Sequence, residues 1–172
     1  MSYTSVLDGL TQLAAGMYLQ RAIVTLTDAQ IKALPTTSVE IVAAPGAGKA
    51  IFPLAAWFRL NWFADYENIA SSSLLTVQAG IQFGALFALL DNVNSDVDVL
   101  LASGGPAGTN AWLPLASRAS GSLSIGIAGF NDAVIENLPL LFQCANGGEG
   151  PLTGGHANNT LKVTVYYIVV DL

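Results

Sequence analysis

Apolar and polar residues alternate most clearly at the end of the chain. Thr160–Val170 reads Thr-Leu-Lys-Val-Thr-Val-Tyr-Tyr-Ile-Val-Val, with Leu161, Val163, Val165 and Tyr167 in one phase. This is the pattern of a strand that buries one face, and its β-branched and aromatic content agrees. Ser122–Ala128 alternates equally well, and Ile23–Leu26, Val39–Ala43, Ser73–Gln78 and Leu138–Ala145 read as further strands. Ala50–Trp62 is a long β-prone run interrupted by Pro53, and a proline inside a strand implies an edge or a bulge. Asp96–Ala102 carries more β-branched residues. Ile81–Val93 fits a helix or two short strands, with Gly80 and Gly84 weighing against the helix.

Helical spacing occurs only early. Val6, Leu7, Leu10, Leu13, Ala14, Met17 and Tyr18 fall on one face, which predicts a short helix or arm over residues 1–21. Such an arm packs on its own domain or docks on a neighbouring subunit. Thr27-Asp28-Ala29-Gln30 has the form of a capping box, and Ile31, Ala33 and Leu34 extend it for a turn or two before Pro35 ends it. Turn chemistry fills Pro45–Gly48, Ser103–Asn110 and Asn146–Asn159. About eight short strands between turns, with little helix beyond residue 35, predict one mainly β domain over 22–172, an antiparallel sandwich or barrel.

Composition narrows the function classes. The 172 residues are 52% apolar and only 10% charged, where soluble proteins carry roughly 25% charged residues. So apolar a chain folds rather than staying disordered. Six Lys and Arg against twelve Asp and Glu leave a net charge of -6, so no broad basic surface is expected for nucleic acid. A membrane span is not expected either. The uncharged window Asn68–Leu90 contains Ser71, Ser72, Ser73, Gln78 and Gln82, and no basic residue flanks it. The first residues lack the early positive charge and long apolar stretch of a secretory signal. A bare surface of this kind points instead to burial against partners.

Candidate chemistry is sparse. Cys144 is the only cysteine and sits in an apolar run, as a buried small residue would. Ala43–Ala50 has a Gly-Ala-Gly-Lys turn, but Ala43 and Ala50 replace the glycine and hydroxyl residue of a phosphate loop. His156 is the only histidine, with no His/Cys cluster to complete a metal site, so it reads as an exposed loop residue. Asp91–Asp96 could offer oxygens to a calcium ion but lacks the spacing of an EF-hand loop. No catalytic, cofactor or metal residue is assigned. Trp57, Phe58, Trp62 and Phe63, with Tyr66 and Trp112, form an aromatic group suited to a core, an interface or a sugar platform.

Two regions carry a resemblance. The first runs from Ile23-Val24-Thr25-Leu26-Thr27-Asp28-Ala29-Gln30 through Val39-Glu40-Ile41-Val42 to Pro45-Gly46-Ala47-Gly48-Lys49. The second holds Glu136-Asn137-Leu138-Pro139, Leu152-Thr153-Gly154-Gly155 and Thr160–Tyr167. Together, over about residues 22–50 and 135–170, the chain resembles small structural proteins of tailed-bacteriophage virions. The resemblance implies a jelly-roll-like β-sandwich that decorates or cements a capsid, without catalytic residues. It implies the major capsid protein as partner, a homo-oligomer with a trimer favoured, and assembly in the host cytoplasm. The partner contacts expected are Leu7, Leu10, Leu13, Met17 and Tyr18 of the arm and Trp57, Phe58, Trp62 and Phe63 of the aromatic strand. Tail or head–tail proteins of the same fold, and a sugar-binding sandwich, are the alternatives. A jelly roll also predicts that Ile23–Leu26 and Thr160–Val170 are neighbours in one sheet.

Overall fold

The computed structural model describes residues 18–70, 74–80, 88–91, 100–102, 107–115, 136–145 and 150–172. Within them are strands β1 (Gln20–Thr27), β2 (Val39–Val42), β3 (Lys49–Trp62), β4 (Tyr66–Glu67), β5 (Leu74–Ala79) and β6 (Ala88–Asp91). β7 (Thr109–Leu115), β8 (Leu140–Ala145), β9 (Thr153–Gly154) and β10 (Thr160–Asp171) follow. One helix, α1 (Asp28–Ala33), joins β1 to β2. The expected strand Ser122–Ala128, the acidic string after Asp91, and Leu7, Leu10, Leu13 and Met17 lie outside the described residues. No helix among the described residues is long and apolar enough to cross a membrane.

Eight strands form two antiparallel sheets, ordered β1-β10-β3-β7 and β2-β8-β5-β6; β4 and β9 make a small third pair. Four of the pairings are nested: β1 with β10, β2 with β8, β3 with β7, and β5 with β6. The chain therefore runs as a long hairpin of four rungs. The contacts β10 to β3 and β8 to β5 fold that hairpin over onto itself. The expected pairing of the first and last strands holds, with Val24 opposite Val163 and Leu26 opposite Leu161.

The core lies between the two sheets. Leu26, Phe58, Leu60, Leu161, Val163 and Val165 face Leu75, Val77, Leu140, Phe142 and Cys144, and all belong to one buried cluster. Phe58 and Phe142 meet at its centre with ring centroids 4.9 Å apart, tilted by 47°. Burial of such side chains is the main stabilising term of the fold.

Two prolines in strands have different explanations. Pro53 lies in β3, an inner strand, and the register there slips: Tyr166 faces Ala55 while Tyr167 faces Pro53. Leu54 is the extra residue of a bulge, which accommodates the missing N–H and reverses the phase of burial. Ala56, Phe58 and Leu60 point inward on one side of it, and Ile51 on the other. Pro114 lies in β7, the outer strand of its sheet, where a missing donor costs least. That proline, with Thr109 and Asn110 ahead of it, hides β7 from sequence reading, which leaves Ser103–Asn110 as a loop. Leu100 and Leu101, at the end of a segment expected as a strand, have helical backbone and are buried.

The helix matches its sequence signal. The Thr27 N–H donates to Gln30 Oε1 at 3.0 Å and the Gln30 N–H donates to Thr27 Oγ1 at 3.4 Å, which is the reciprocal capping box. Ile31 and Leu34 anchor it in the core. Lys32 pairs with Asp28 at 2.7 Å one turn away.

Candidate functional site

The two regions that carry the sequence resemblance meet in space, and they do so as scaffold. The N–H groups of Gly46 and Gly48 donate to Asn137 Oδ1 and Glu136 Oε1, across about ninety residues of chain. In a phosphate loop those amides would face an anion; here side-chain oxygens already occupy them. Lys49 turns to Asp171, 3.6 Å away. The Leu152 N–H donates to the carbonyl of Lys32, tying the Gly-rich loop to α1.

A second junction surrounds Asn159, which is fully buried. Its Oδ1 accepts from the N–H groups of Phe63 and Ala64 at 2.8 and 3.4 Å, and its Nδ2 donates to the Ala64 carbonyl at 2.8 Å. Gly155 lies against Asp28 and the Tyr66 ring with φ +69°. A Cβ there would fall 2.6 Å from both, so only glycine fits. His156 stacks on Phe63 with centroids 5.5 Å apart, and its Nδ1 accepts from the Asn158 N–H at 3.1 Å. These contacts make His156 a loop-fastening residue.

Two titratable groups near this scaffold resist ionisation. Burial pushes the Cys144 thiol up to about 12 from its ordinary 9.0. Desolvation likewise raises the Tyr66 phenol well above its usual value, opposed by the nearby Asn159 amide and helped by the Asp28 carboxylate. Well below pH 9 both groups are protonated in the folded and unfolded chain alike. Above it the unfolded chain loses protons that the folded one keeps, so stability falls as pH rises. Urea midpoints should hold steady from neutral pH to about 9 and then decline toward about 11. Cys144→Ala should reduce that slope, and an unchanged slope would show that burial of Cys144 contributes nothing to it.

The aromatic group of β3 does not form one surface. Successive strand residues point to opposite faces, so Phe58 and Trp62 enter the core, 0% and 8% exposed, while Trp57 is 46% exposed on the outside. The Trp62 indole N–H donates to Asp65 Oδ1 at 2.8 Å, and Phe63 is half-buried under His156. Phe58 and Trp62 are therefore corrected from partner contacts to core residues. Trp57 and Tyr18, which is 77% exposed, are open.

Around Trp57 the outer face of the β1-β10-β3 sheet forms a shallow depression of about 250 Å³, lined by Arg21, Arg59, Lys162, Thr164 and Tyr166 among others. Arg21 faces Tyr166, Thr164 faces Trp57, and Lys162 faces Arg59. Three of the six Lys and Arg of an acidic chain are collected here. Their positions in the solvent phase of three strands are legible in the sequence; their convergence depends on register. A second concavity of about 460 Å³ lies where the chain enters β1, bounded by Tyr18, Val42, Pro45, Ile51 and Val169. Beside it the Tyr167 hydroxyl donates to Gln20 Oε1 at 2.9 Å. Among the described residues no group of His, Cys, Asp and Glu is arranged to hold a metal.

No family model matches the chain, and no curated protein matches it. Among solved structures, a chain from the structure of deformed wing virus carrying the GFP gene is similar at a TM-score of 0.18 and 12% identity. The likeness covers 95% of this chain, which spans 47% of that one. A score of that size assigns neither fold nor role.

Proposed function

We propose that this protein is a non-enzymatic structural subunit of a tailed-phage virion, a decoration or cement protein with a jelly-roll fold. The observation that carries the reading is the nested hairpin. Its strand order, counting the eight strands of the two main sheets, is 1-8-3-6 and 2-7-4-5, the order expected when a four-rung hairpin rolls up into two Greek keys. The resemblance to phage structural proteins points the same way, and its segments converge on turns and caps rather than on reactive groups.

The mechanism is burial. The described surface carries Tyr18, Leu19, Ile23, Leu54 and Trp57 as exposed large apolar side chains. Covering such groups against the major capsid protein and neighbouring copies stabilises the shell by about 25 cal/mol per Å² of apolar area. Repetition of identical weak contacts over a particle adds avidity. Tyr18, the last of the expected arm contacts, lines the cleft beside β1. The subunit assembles in the host cytoplasm as a homo-oligomer, with a trimer favoured.

Imaging particles made with and without this protein tests the reading. Density missing from the capsid shell is the expected result. Loss from the tail replaces it with a tail or head–tail role, and no loss overturns both. Sedimentation of the purified subunit should show an oligomer, and a monomer that persists at high concentration contradicts the burial mechanism.

A further inference from the structure

We infer that the outer edge of β1 is a self-association site, at which β1 pairs antiparallel with β1 of a second copy about a two-fold axis. The inference rests on the reading of the chain as a homo-oligomer and names a contact that reading leaves open. It starts from the sheet edges. The two main sheets end on four outer strands, β1, β7, β2 and β6. An outer strand offers a row of unpaired N–H and C=O groups, and proteins blunt such rows with prolines, bulges or short strands. Three of the four are blunted here. β7 contains Pro114. β2 and β6 have four residues each, and their registers slip at Ile41 and at Leu89. β1 has none of these devices. Its eight residues match β10 one for one, from Gln20 opposite Tyr167 to Thr27 opposite Thr160.

The far side of β1 is open. Among the described residues, the backbone of residues 20–26 forms its hydrogen bonds with β10 and with no other strand. In an antiparallel pair every second residue turns its N–H and C=O away from the neighbour, so about four residues of β1 present both groups outward. The side chains agree. Ala22 and Val24 face the core yet are only half-buried, while Val165 and Val163, directly opposite them on β10, are fully buried. Core-facing side chains stay half-open where nothing lies beside their strand.

The chemistry of the edge selects a second copy as its occupant. Residues 18–27 contain one charge, Arg21, in a chain of net charge -6, so two copies approach here with little local repulsion. A two-fold axis perpendicular to the sheet must set outward residues against outward residues. The register centred on Ile23 does this. It places Ile23 against its own copy, Ala22 against Val24, and Arg21 against Thr25. A β-branched pair then sits on the axis, and the two Arg21 residues are about 13 Å apart along the strands. Continued outward, the register brings Leu19 and Tyr18 beside Thr27 and Asp28 of the second copy. Tyr18, Leu19 and Ile23 are three of the six exposed large apolar side chains of the described residues, and one contact collects them. The sheet ordered β1-β10-β3-β7 becomes half of a continuous sheet shared by two copies. A trimer closed by other faces carries three such edges, each linking it to a neighbouring trimer.

The test uses the full chain. Ile23→Cys should give a disulfide-linked dimer under mild oxidation, because residues paired across the axis have Cα atoms about 5.5 Å apart. Arg21→Cys, also exposed, should not, because its copy is about 13 Å away. Cys144 is fully buried and stays out of the reaction. Ile23→Lys opposes two like charges on the axis and should weaken association by about tenfold or more in sedimentation equilibrium. Ile23→Thr, β-branched and uncharged, should weaken it less. Hydrogen exchange of the β1 amides should slow as protein concentration rises. Thermal unfolding of each variant checks that the fold persists. Equal cross-linking of the two cysteine variants, or association indifferent to Ile23→Lys, overturns the inference and leaves the homo-oligomer standing. A protein that is monomeric at high concentration overturns both. Protection of the β1 amides that is the same at every concentration means that the chain covers its own edge, and it also overturns the inference.

Discussion

Phe58→Ala should lower the unfolding free energy by about 3–5 kcal/mol, a fifth or more of a typical domain's stability. The side chain is fully buried on β3 and meets Phe142 of β8, so it joins the two main sheets at their centre. Its removal forfeits the transfer energy of a phenyl group and leaves a cavity that β-sheet backbone, held by its ladders, cannot close. Phe58→Leu should cost less, because most of the volume remains. The double variant with Phe142→Ala should fall short of additivity by about 0.5–1.5 kcal/mol, the value of a tilted aromatic pair beyond its area. Urea unfolding followed by far-UV circular dichroism measures all three. A loss below about 1 kcal/mol for Phe58→Ala would mean that the two sheets do not share this core.

Asn159→Ala should cost about 2–4 kcal/mol, although the residue lies in a Gly-rich loop where substitutions are ordinarily mild. One side chain serves two N–H donors and one carbonyl in the corner after β3. Truncation leaves buried backbone groups unpaired, and that penalty exceeds the net value of the bonds themselves. Asn159→Asp separates the contributions. The carboxylate still accepts from Phe63 and Ala64 but faces the Ala64 carbonyl without a proton to offer. Its folded pKa should therefore lie above the unfolded one, so this variant should recover stability as pH falls and the acid becomes a donor. Equal stability of Asn159→Asp at acidic and neutral pH would remove the Nδ2 bond from the account.

The site illustrates what strand chemistry can and cannot convey. The aromatic group of β3 stands out in the sequence as a cluster, yet Trp57 and Phe58 are neighbours that never share an environment. Alternation alone separates them, and a phase count along Ala56–Trp62 recovers that separation. The cations are harder to read. Arg21, Arg59 and Lys162 are spread over more than 140 residues, and only the pairing of β1 and β3 on either side of β10 brings them together.

Local chemistry was enough for the strands flanking the turns, for the capping box at Thr27 and for the stop at Pro35, because each depends on side chains within a few residues. The meeting of β1 with β10 was expected only through the jelly-roll resemblance, which brings the first and last strands together. Tertiary structure alone decided the rest. The bulge at Leu54 reverses which residues of β3 are buried, and it exists because β10 runs past Pro53. Glu136 and Asn137 fill the amides of Gly46 and Gly48, turning a suggestive glycine motif into a fastened turn. The reason is common to all of these. Register between strands distant in sequence is set by how whole faces pack and by which backbone groups remain to be satisfied, and neither quantity is local.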